Sequence, residues 1–419
     1  MSNTMHTSIV ALVAACGLDR PADVPDPEFT AIHPSIARAG DTIMLEGSFS
    51  PTTIVHFPGG TEQRAKVQES KHRATAIVPA SAGDGELFVT TGRIRLGPVA
   101  FRRAAFGPAL LAFSSVESQH LRIPRAYPTA VLVKDTLYVL GGRDAIGSLD
   151  SIERAQLQPD GTLGPFTLES VALVKKRRDH AAVVLGDELY VLGGRTEDGS
   201  AEPSIEVAQI APDGSLGSFA IVDRSLTSAR AGHTSVVIGD MLHVLGGLPT
   251  VEHAQIESSS LRQFDPPEDS TATNRSGAAT AVFGDALCVL GGFDGSTLAD
   301  VVCASITGGG SFGEFTHASS LAMPRARSAS VVVGPWLYLF GGAHIYSTGQ
   351  FSMFYGDVVR IARDGAGTFE EVPELSRITA RMASVAVVVG SSVCVIGGYA
   401  SNGSGIYLDT VECAAFAPE

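Results

Sequence analysis

The chain has 419 residues, of which 44% are hydrophobic and 18% are charged, and its 46 glycines can supply many turns. This length and composition are typical of one large globular domain accompanied by a small one. The formal net charge is −14, and Lys and Arg are concentrated only in the run 175–178, which we interpret as the solvated rim of a loop. Nucleic acid is therefore excluded as an expected partner, because binding to a phosphate backbone requires clustered positive charge.

The first sixteen residues resemble the signal segment of a bacterial lipoprotein. Residues 9–15 form an apolar run that is too short to span a bilayer and that ends in small residues. The sequence Val13-Ala-Ala-Cys16 then resembles a lipobox, which implies a signal segment over 1–16, lipidation of Cys16 and a linker over 17–26. No Lys or Arg precedes the run, so an ordinary buried strand is the alternative. We expect an exported protein of the bacterial cell envelope, lipid-anchored or located in the periplasm or at the surface.

Residues 27–103 have the spacing of short strands and turns that is typical of a small β-sandwich. The segment Ala39-Gly-Asp-Thr-Ile-Met-Leu-Glu-Gly47, followed by Val55-His-Phe-Pro-Gly-Gly60, carries this pattern. It resembles the IPT/TIG immunoglobulin-like domain, and the resemblance implies a spacer or an interaction module.

Residues 108–419 are built from a sixfold repeat. In each copy a short apolar strand runs into a glycine pair, and the first glycines follow one another at intervals of 52, 53, 45, 50 and 56 residues. An arginine stands sixteen residues before each first glycine, and these repeat arginines are Arg125, Arg177, Arg230, Arg275, Arg325 and Arg381. The pattern resembles the kelch repeat, in which four strands form one blade of a β-propeller.

The phase of the repeat predicts how the ring of blades closes. A phenylalanine ten to twelve residues before each arginine marks a fourth strand, but the last copy ends with its third strand at 409–416. Its missing fourth strand should come from residues 108–116, because pairing both chain ends in one blade removes the open edges of the ring. The predicted fold class is all-β: a six-bladed kelch-type propeller closed by an N-terminal strand and preceded by an immunoglobulin-like β-sandwich.

Four cysteines occupy matching positions of the repeat. Cys288 and Cys394 each lie three residues before a first glycine, and Cys303 and Cys413 share a position on the third strand. Opposed residues at non-hydrogen-bonded positions of antiparallel strands have Cα atoms about 4.5 Å apart, which a disulfide can bridge. The sequence therefore predicts the disulfides Cys288–Cys303 and Cys394–Cys413 and an oxidising compartment. The alternative is that these cysteines are reduced and buried as small hydrophobic residues.

No motif for catalysis or for a cofactor stands out. The chain shows no Ser-His-Asp signature, phosphate loop or HExxH helix, and its many carboxylates include none that a motif distinguishes. In the third copy His243 and His253 occupy the two cysteine positions. Two imidazoles alone make a poor metal site, so we interpret them as a packed pair and expect no metal, no cofactor and no catalytic residue.

The six repeat arginines allow two interpretations. At one end of the inner strands they could ring the mouth of the channel and hold a carboxylate of a ligand. They could instead bond carbonyls or carboxylates between blades, which a buried guanidinium requires. The structural role is favoured, because kelch repeats commonly carry this arginine.

Blades five and six carry the longest excursions between the glycine pair and the third strand. Loops carry function more often than blade cores do, and aromatic side chains are amphipathic anchors for a protein or a sugar ring. The candidate binding residues are therefore His344, Tyr346, Tyr355, Tyr399, Asn402 and Tyr407. The alternative, above all for Phe351 and Phe354, is that these loops fold down as lids on their own blades.

These features favour a non-catalytic, exported or membrane-anchored scaffold that binds a protein or a glycan through its propeller loops. Because kelch proteins include sialate mutarotases, the resemblance implies a second possibility, a sugar-modifying enzyme that acts at the channel mouth. In that case turnover should depend on Arg325 or Arg381. A purely architectural envelope protein is the third possibility.

Overall fold

In a computed structural model, the chain is built almost entirely from β-strands. The structure describes residues 29–418 except 34–35, 38–41, 68–72, 79–81, 83–84, 93, 104–105, 258, 284, 308–309, 335, 347–350, 363–367, 376–377 and 402–404. The predicted signal segment with Cys16, the linker and Asn402 lie outside these residues. Within them, helical structure is limited to short 3-10 turns such as Thr271–Thr273, and no helix has the length and apolarity that crossing a membrane requires.

Two sheets with a common core form the N-terminal part of the described chain. Their strands are β1 (Phe29–His33), β2 (Ile36–Ala37), β3 (Thr42–Gly47), β4 (Ile54–Phe57), β5 (Thr61–Arg64), β6 (Lys66–Val67), β7 (Arg73–Ile77), β8 (Gly85–Thr91) and β9 (Ile94–Arg103). The sheet orders are β1-β3-β7-β6 and β2-β9-β8-β4-β5. Leu45 and Ala76 of the first sheet lie in one buried cluster with Val55 and Val89 of the second. This is a β-sandwich with its own core, while its assignment to the IPT/TIG family stays a prediction.

The repeat region folds into six further sheets of four or five strands. The strands are β10 (Phe106–Leu110), β11 (Ser114–His120), β12 (Thr129–Val133), β13 (Thr136–Leu140), β14 (Ser151–Gln156), β15 (Thr167–Ala172), β16 (Ala181–Leu185), β17 (Glu188–Leu192), β18 (Glu202–Gln209), β19 (Ala220–Arg230), β20 (Thr234–Ile238), β21 (Met241–Leu245), β22 (Thr250–Glu257), β23 (Ser260–Phe264), β24 (Glu268–Asp269), β25 (Ala279–Phe283), β26 (Ala286–Leu290), β27 (Asp300–Ser305), β28 (Thr316–Ser320), β29 (Ala329–Val333), β30 (Trp336–Phe340), β31 (Ala343–Ile345), β32 (Phe351–Phe354), β33 (Val358–Ala362), β34 (Glu370–Glu371), β35 (Val385–Val389), β36 (Ser392–Ile396), β37 (Tyr399–Ala400), β38 (Ile406–Tyr407) and β39 (Thr410–Pro418).

The six sheets are arranged as a closed ring. The first strands of successive sheets are β12, β16, β20, β25, β29 and β35, and each contacts the next, with β35 also contacting β12. The strands within each sheet are antiparallel and, in all but the last sheet, follow chain order; we number the blades one to six from β12 onward. In blades five and six the hairpins β31–β32 and β37–β38 are inserted after the second strand.

The start of the repeat region completes the last sheet. Strand β39 pairs with β36 on one side, and on the other side with β10 and β11. Leu110 is opposite Phe416, and Ser114 is opposite Cys413. The closing segment is therefore longer than the predicted 108–116, because two strands between Phe106 and His120 share this edge.

The cysteine pairs predicted from the repeat are the pairs that the structure joins. Cys288 lies opposite Cys303 and their sulfurs are 2.13 Å apart, while Cys394 lies opposite Cys413 at 2.08 Å. The second disulfide lies in the sheet that joins the two ends of the ring. The corresponding histidines also face each other, with His243 and His253 ring centroids 6.0 Å apart.

Candidate functional site

The six repeat arginines lie inside the blades rather than at the rim of the channel. Each is 6% exposed or less, and its Nη1 donates to the carbonyl of the first glycine of its own blade at 2.7 to 3.5 Å. Each also pairs with a carboxylate of its third strand or of the loop before it. The pairs are Arg125–Glu153 at 2.7 Å, Arg177–Glu206 at 2.5 Å, Arg230–Glu252 at 2.6 Å, Arg275–Asp300 at 3.0 Å, Arg325–Asp357 at 2.7 Å and Arg381–Glu412 at 2.5 Å.

The terminal nitrogens of these buried guanidinium groups are bonded within the blade, although Nε of Arg177 and of Arg230 has no acceptor among the described residues. In blade one, Glu153 also accepts from the amides of Arg122 and Ile123, so the pair fastens the loop between blades to the third strand. The same arrangement recurs in blade two, where Glu206 accepts from the amides of Val174 and Lys175. Burial and pairing leave these arginines a structural role, and they are not channel-rim residues.

A ring of backbone hydrogen bonds encircles the propeller axis two residues after each repeat arginine. The six residues, which we call the axial belt, all have left-handed backbone conformations: Tyr127 (φ 58°), Asp179 (φ 53°), Gly232 (φ 66°), Gly277 (φ 63°), Arg327 (φ 60°) and Ala383 (φ 53°). The amide of each donates to the carbonyl of the belt residue in the preceding blade at 2.6 to 3.3 Å. Because the Tyr127 amide donates to the Ala383 carbonyl, the belt is closed.

The belt carries side chains that its own backbone disfavours. A left-handed conformation costs a residue with a Cβ roughly 1–2 kcal/mol, and glycine avoids that cost. Blades three and four use glycine here, whereas Tyr127, Asp179 and Arg327 place large or charged side chains on the belt. Strained residues of this kind cluster at functional sites, where the side chain rather than the backbone is required.

These three side chains line a cavity of about 280 Å³ at the axis. This volume is close to the lower end of the roughly 300–1,000 Å³ that small-molecule sites usually span. The lining residues are Tyr127, Arg143, Arg178, Asp179, Arg195, Arg327, Met382, Tyr399 and Tyr407. They come from blades one, two, five and six, and blades three and four contribute none of them.

Positive charge dominates the cavity, because four guanidinium groups face a single carboxylate among the lining residues. Arg327 donates to Asp179 Oδ1 at 2.8 Å, and Arg195 Nε lies 4.0 Å from Asp179 Oδ2. Burial is the largest single influence on Arg327 and lowers its pKa, but the interactions with Asp179 and Tyr127 together outweigh it, so the pKa is raised. Arg327 is therefore held as a cation and its charge is matched within the protein.

The other three guanidinium groups, those of Arg143, Arg178 and Arg195, are brought near one another by hydrogen bonds within and between blades one and two. Arg178 and Arg195 exchange backbone hydrogen bonds of 3.0 and 2.7 Å, which brings their side chains to the same part of the rim. Arg178 also donates to Ser148 Oγ at 2.6 Å and thus reaches the loop that carries Arg143. Burial lowers the pKa of Arg178, the charges of Arg143 and Arg195 lower it further, and the attraction of Asp179 offsets this only in part. An anion placed among these groups would relieve their repulsion.

Arg143 has the least satisfied side chain of this group. Its Nε is buried without a hydrogen-bond acceptor among the described residues, and it forms no ion pair with any of them. Tyr399 and Tyr407 of the neighbouring blade six complete this side of the cavity with ring centroids 5.1 Å apart. The site can thus offer cationic donors and aromatic surface to the same ligand.

The predicted binding residues divide into three groups. Tyr399 and Tyr407 line the cavity. His344 and Tyr346 lie on the blade-five hairpin with ring centroids 5.6 Å apart, and Tyr346 is 53% exposed. Tyr355 is only 7% exposed, its hydroxyl donates to the Pro324 carbonyl at 3.0 Å, and the guanidinium of Arg325 lies 4.4 Å from its ring centre. Tyr355 is therefore part of the blade interior and is withdrawn as a binding residue.

The interpretation of run 175–178 as a solvated loop rim was wrong for its two arginines. Arg177 is completely buried, and Arg178 lines the cavity. The lysines pair with blade-two carboxylates, Lys175 with Glu202 at 2.9 Å and Lys176 with Glu197 at 3.8 Å.

Most of the cavity residues were not among the sequence candidates, although the repeat contains a signal for them. They occupy positions next to invariant ones, where individual blades depart from the consensus. The position directly after the repeat arginine holds Arg178 and Met382, and the next position, that of the belt, holds Tyr127, Asp179 and Arg327. The position after the glycine pair holds Arg143, Arg195 and Tyr399. Elsewhere these positions hold mostly small or apolar residues, so a charged residue in one blade is the informative departure.

Residues 124–154 match the family model described as Kelch motif. The chain carries a Kelch motif. This segment runs from the residue before Arg125 to the third strand of blade one, so it includes a repeat arginine, a glycine pair and Glu153. A search of curated proteins finds no match.

A solved structure titled "Structure of YjhT" resembles this protein with a TM-score of 0.56 and 16% sequence identity, over 70% of this chain and 95% of that one. Such low identity relates the two proteins in fold alone. The fold is that of an all-β kelch-type propeller.

Proposed function

We propose that this protein binds a small anionic molecule, of the size of an acidic monosaccharide, in the axial cavity. The observation that carries the proposal is the ratio of charges in that cavity, four guanidinium groups to one carboxylate. The protein as a whole has a net charge of −14, so this cluster runs against the overall charge. Guanidinium groups bind carboxylates and related oxyanions with charge-assisted hydrogen bonds, which are the strong ones.

The aromatic residues support a ring-shaped ligand. Tyr399 and Tyr407 present ring surface beside the cations, and Tyr127 adds a third ring on the belt. Sugar rings bind to such surfaces through their apolar faces while their hydroxyl groups remain hydrogen-bonded. The proposed ligand is still a glycan, but most of its contacts are placed at the propeller axis rather than at the tips of the loops.

Calorimetric titration with acidic monosaccharides, headed by glucuronate and sialate and each compared with a neutral sugar such as glucose, tests the proposal. We expect the acids to bind and the neutral sugars to bind at least about 10-fold more weakly, since a charge-assisted bond contributes roughly 1.5–3 kcal/mol. Arg178→Ala should weaken acid binding without harming the fold, because blades one, three and five have alanine at that position. Arg154→Ala removes an exposed arginine paired with Glu169 and is the matched control.

Equal binding of acids and neutral sugars, or unchanged affinity in Arg178→Ala, would refute this use of the cavity. Since Tyr399 contacts the same cavity, Tyr399→Ala should also weaken binding. Tyr346→Ala, on the exposed part of the blade-five hairpin, separates a contribution of that hairpin from one of the axis.

A second candidate function is supported by the position of Asp179. It is the carboxylate of the cavity lining, its side chain is 10% exposed, and it lies on the strained belt between two arginines. A carboxylate beside a cationic clamp could transfer a proton to or from a bound acidic sugar, as an enzyme of the sialate-mutarotase type requires. Asp179→Asn should then keep affinity for sialate while abolishing any acceleration of its anomer exchange, which NMR measures directly.

We also propose that the protein is exported and held at the cell envelope. Two disulfides, Cys288–Cys303 and Cys394–Cys413, are typical of an oxidising compartment and support export. Anchoring rests on the lipobox-like segment that ends at Cys16. Intact-mass analysis of protein from membranes should find a lipidated N-terminus that Cys16→Ser abolishes, and an unmodified terminus would overturn the anchor.

A further inference from the structure

The charges of the cavity are not matched evenly. Arg327 has Asp179 at 2.8 Å, and Arg195 is at the 4.0 Å limit of an ion pair with the same carboxylate. Arg143 and Arg178 have no carboxylate partner within the part of the chain that the structure describes. The carboxylate of Asp179 thus has its Oδ1 bonded to Arg327, and only its Oδ2 is near one of the other three guanidinium groups.

Hydrogen bonds hold two of these three guanidinium groups, and the third, that of Arg143, is positioned by its backbone. Arg178 is held by Ser148 Oγ at 2.6 Å and the Thr196 carbonyl at 3.2 Å, and Arg195 by the Gly199 carbonyl at 3.0 Å. Their backbones are paired with each other, and the Arg143 amide donates to the Ala126 carbonyl at 2.7 Å. The charges of Arg143 and Arg195 act on Arg178, so the three cations lie near one another, and a multiply charged anion gains more here than a singly charged one does.

We infer that the group bound by Arg143, Arg178 and Arg195 is a dianion with at least three oxygen acceptors, namely a phosphate monoester on a small sugar-like body. The inference rests on the proposed function of the cavity and specifies its ligand. A carboxylate offers one charge and two oxygens to three guanidinium groups. A phosphate monoester offers a charge of about −1.5 to −2 near pH 7 and three acceptor oxygens. Tyr399 and Tyr407 then contact the body of the ligand.

A set of four ligands on one sugar scaffold tests the inference by calorimetry. Glucose 6-phosphate carries the dianion, glucose 6-sulfate has the same tetrahedral shape with one charge, glucuronate has a planar single charge, and glucose has none. At about pH 7.5 glucose 6-phosphate should bind at least about 10-fold more tightly than glucose 6-sulfate or glucuronate, a difference of about 1.4 kcal/mol.

The dependence on pH provides a second readout. The second ionisation of a phosphate monoester has a pKa of about 6, so its affinity should rise several-fold between about pH 5 and pH 7.5. The affinity of the sulfate should stay level. The lining consists of arginines, tyrosines, one aspartate and one methionine, classes that do not ordinarily titrate in that range. Burial, and then the charge of Arg177, lower the pKa of the neighbouring His180 well below its usual value, so it stays neutral.

Variants assign the effect to the three arginines. Arg143→Ala takes the residue that blade five has at this position, and it should reduce glucose 6-phosphate affinity about 10- to 100-fold while affecting glucuronate less. Arg154→Ala should change neither. Equal affinity for the phosphate, the sulfate and glucuronate would overturn the dianion and leave the proposed anion site intact. Failure of all charged ligands to bind would overturn both.

Discussion

Two sets of arginines in this propeller have opposite environments. The six repeat arginines lie inside the blades, and each is matched by a carboxylate of its own blade. Arg143, Arg178 and Arg195 lie at the axial cavity, and their shortest carboxylate contact in the described part of the chain is the 4.0 Å separation between Arg195 and Asp179. Arg177 and Arg178 are neighbours in sequence yet belong to different sets.

The contrast separates residues that build the repeat from residues that are free for another role. A residue present in every blade solves a problem that every blade has, here the fastening of two strand ends and a loop. A charged residue present in one or two blades has no such shared task, and where its charge is not paired within the protein, as at Arg143, we propose that it contacts a ligand. The two sets therefore predict opposite responses to the same substitution.

The largest expected effect comes from Arg177→Ala. Removing one member of a buried ion pair leaves Glu206 uncompensated, and such losses destabilise a protein by about 3–5 kcal/mol. The substitution also removes the donor to the Gly193 carbonyl at 2.7 Å. Guanidinium-induced unfolding should show a large fall in midpoint for Arg177→Ala, and a shift equivalent to within about 0.5 kcal/mol for Arg178→Ala.

Equal stability of these two adjacent variants would contradict the division of the arginines into two sets. If Arg177→Ala does not fold, Arg177→Lys keeps the charge but loses the planar fork, and it should show a smaller loss in the same direction. Only the Arg178 variant should lose ligand binding while it stays folded.

A second prediction concerns the position after the belt, where blades two and three carry His180 and His233 and blades five and six carry serine. Burial, and then the charge of Arg230, lower the pKa of His233 to about 3. Below about pH 6.5 this histidine is protonated in the unfolded chain but stays neutral in the folded one, so protonation favours unfolding. The stability that depends on its neutral form is therefore complete above pH 6.5 and is lost as the pH falls below that value. The loss should reach about 2 kcal/mol at pH 5.

His233→Ser, which installs the residue of blades five and six, should make the stability profile between about pH 6.5 and pH 5 less steep by the share of His233, while His180, whose pKa burial also lowers, keeps its own share. Denaturant midpoints measured across that range check the expectation. A profile that falls as steeply in the variant as in the natural protein would place the acid sensitivity elsewhere.

The parts of this fold that follow local rules could be predicted from the sequence. Glycine pairs at a blade-like period fix the strands, and the alternation of strands puts Cys288 opposite Cys303 because both repeat positions are filled together. The closing strand followed from the missing fourth strand, although its extent to Phe106 did not.

The cavity could not be predicted in the same way. Its residues span positions 127 to 407 and meet only when the ring has closed, so no local pattern joins Tyr127 to Tyr407. Tyr355 illustrates the opposite error, because a tyrosine in a long loop was taken as exposed. It stands just before the third strand of blade five, where it packs against the buried repeat arginine Arg325.

A third prediction tests the glycine half of the belt. In Gly232→Ala the new Cβ would lie 2.2 Å from Ser276 Oγ and would occupy a left-handed conformation. The variant should lose about 1–2 kcal/mol, from the backbone penalty and the displaced serine. Ala383→Gly makes the reverse change on the same belt and should be neutral within about 0.5 kcal/mol, since relief of the backbone offsets the added chain entropy. Thermal unfolding measures the stability of both variants. A Gly232→Ala protein as stable as the natural one would show that the belt backbone can shift to accommodate a Cβ at this position.

Arg143→Ala should change the stability of the protein least, and the sign of that change is informative. In the ligand-free protein Arg143 is repelled by Arg178 and has no ion pair with any described residue, so Arg143→Ala should leave the protein unchanged or raise its stability by up to about 0.5 kcal/mol at low salt. Arg154→Ala removes a half-exposed arginine from Glu169, whose side chain is 13% exposed, and should lower stability by about 1 kcal/mol. Near 1 M salt, where charges are screened over about 3 Å, both differences should shrink. A clear loss of stability in Arg143→Ala that salt leaves unchanged would mean that Arg143 supports the fold and belongs with the repeat arginines.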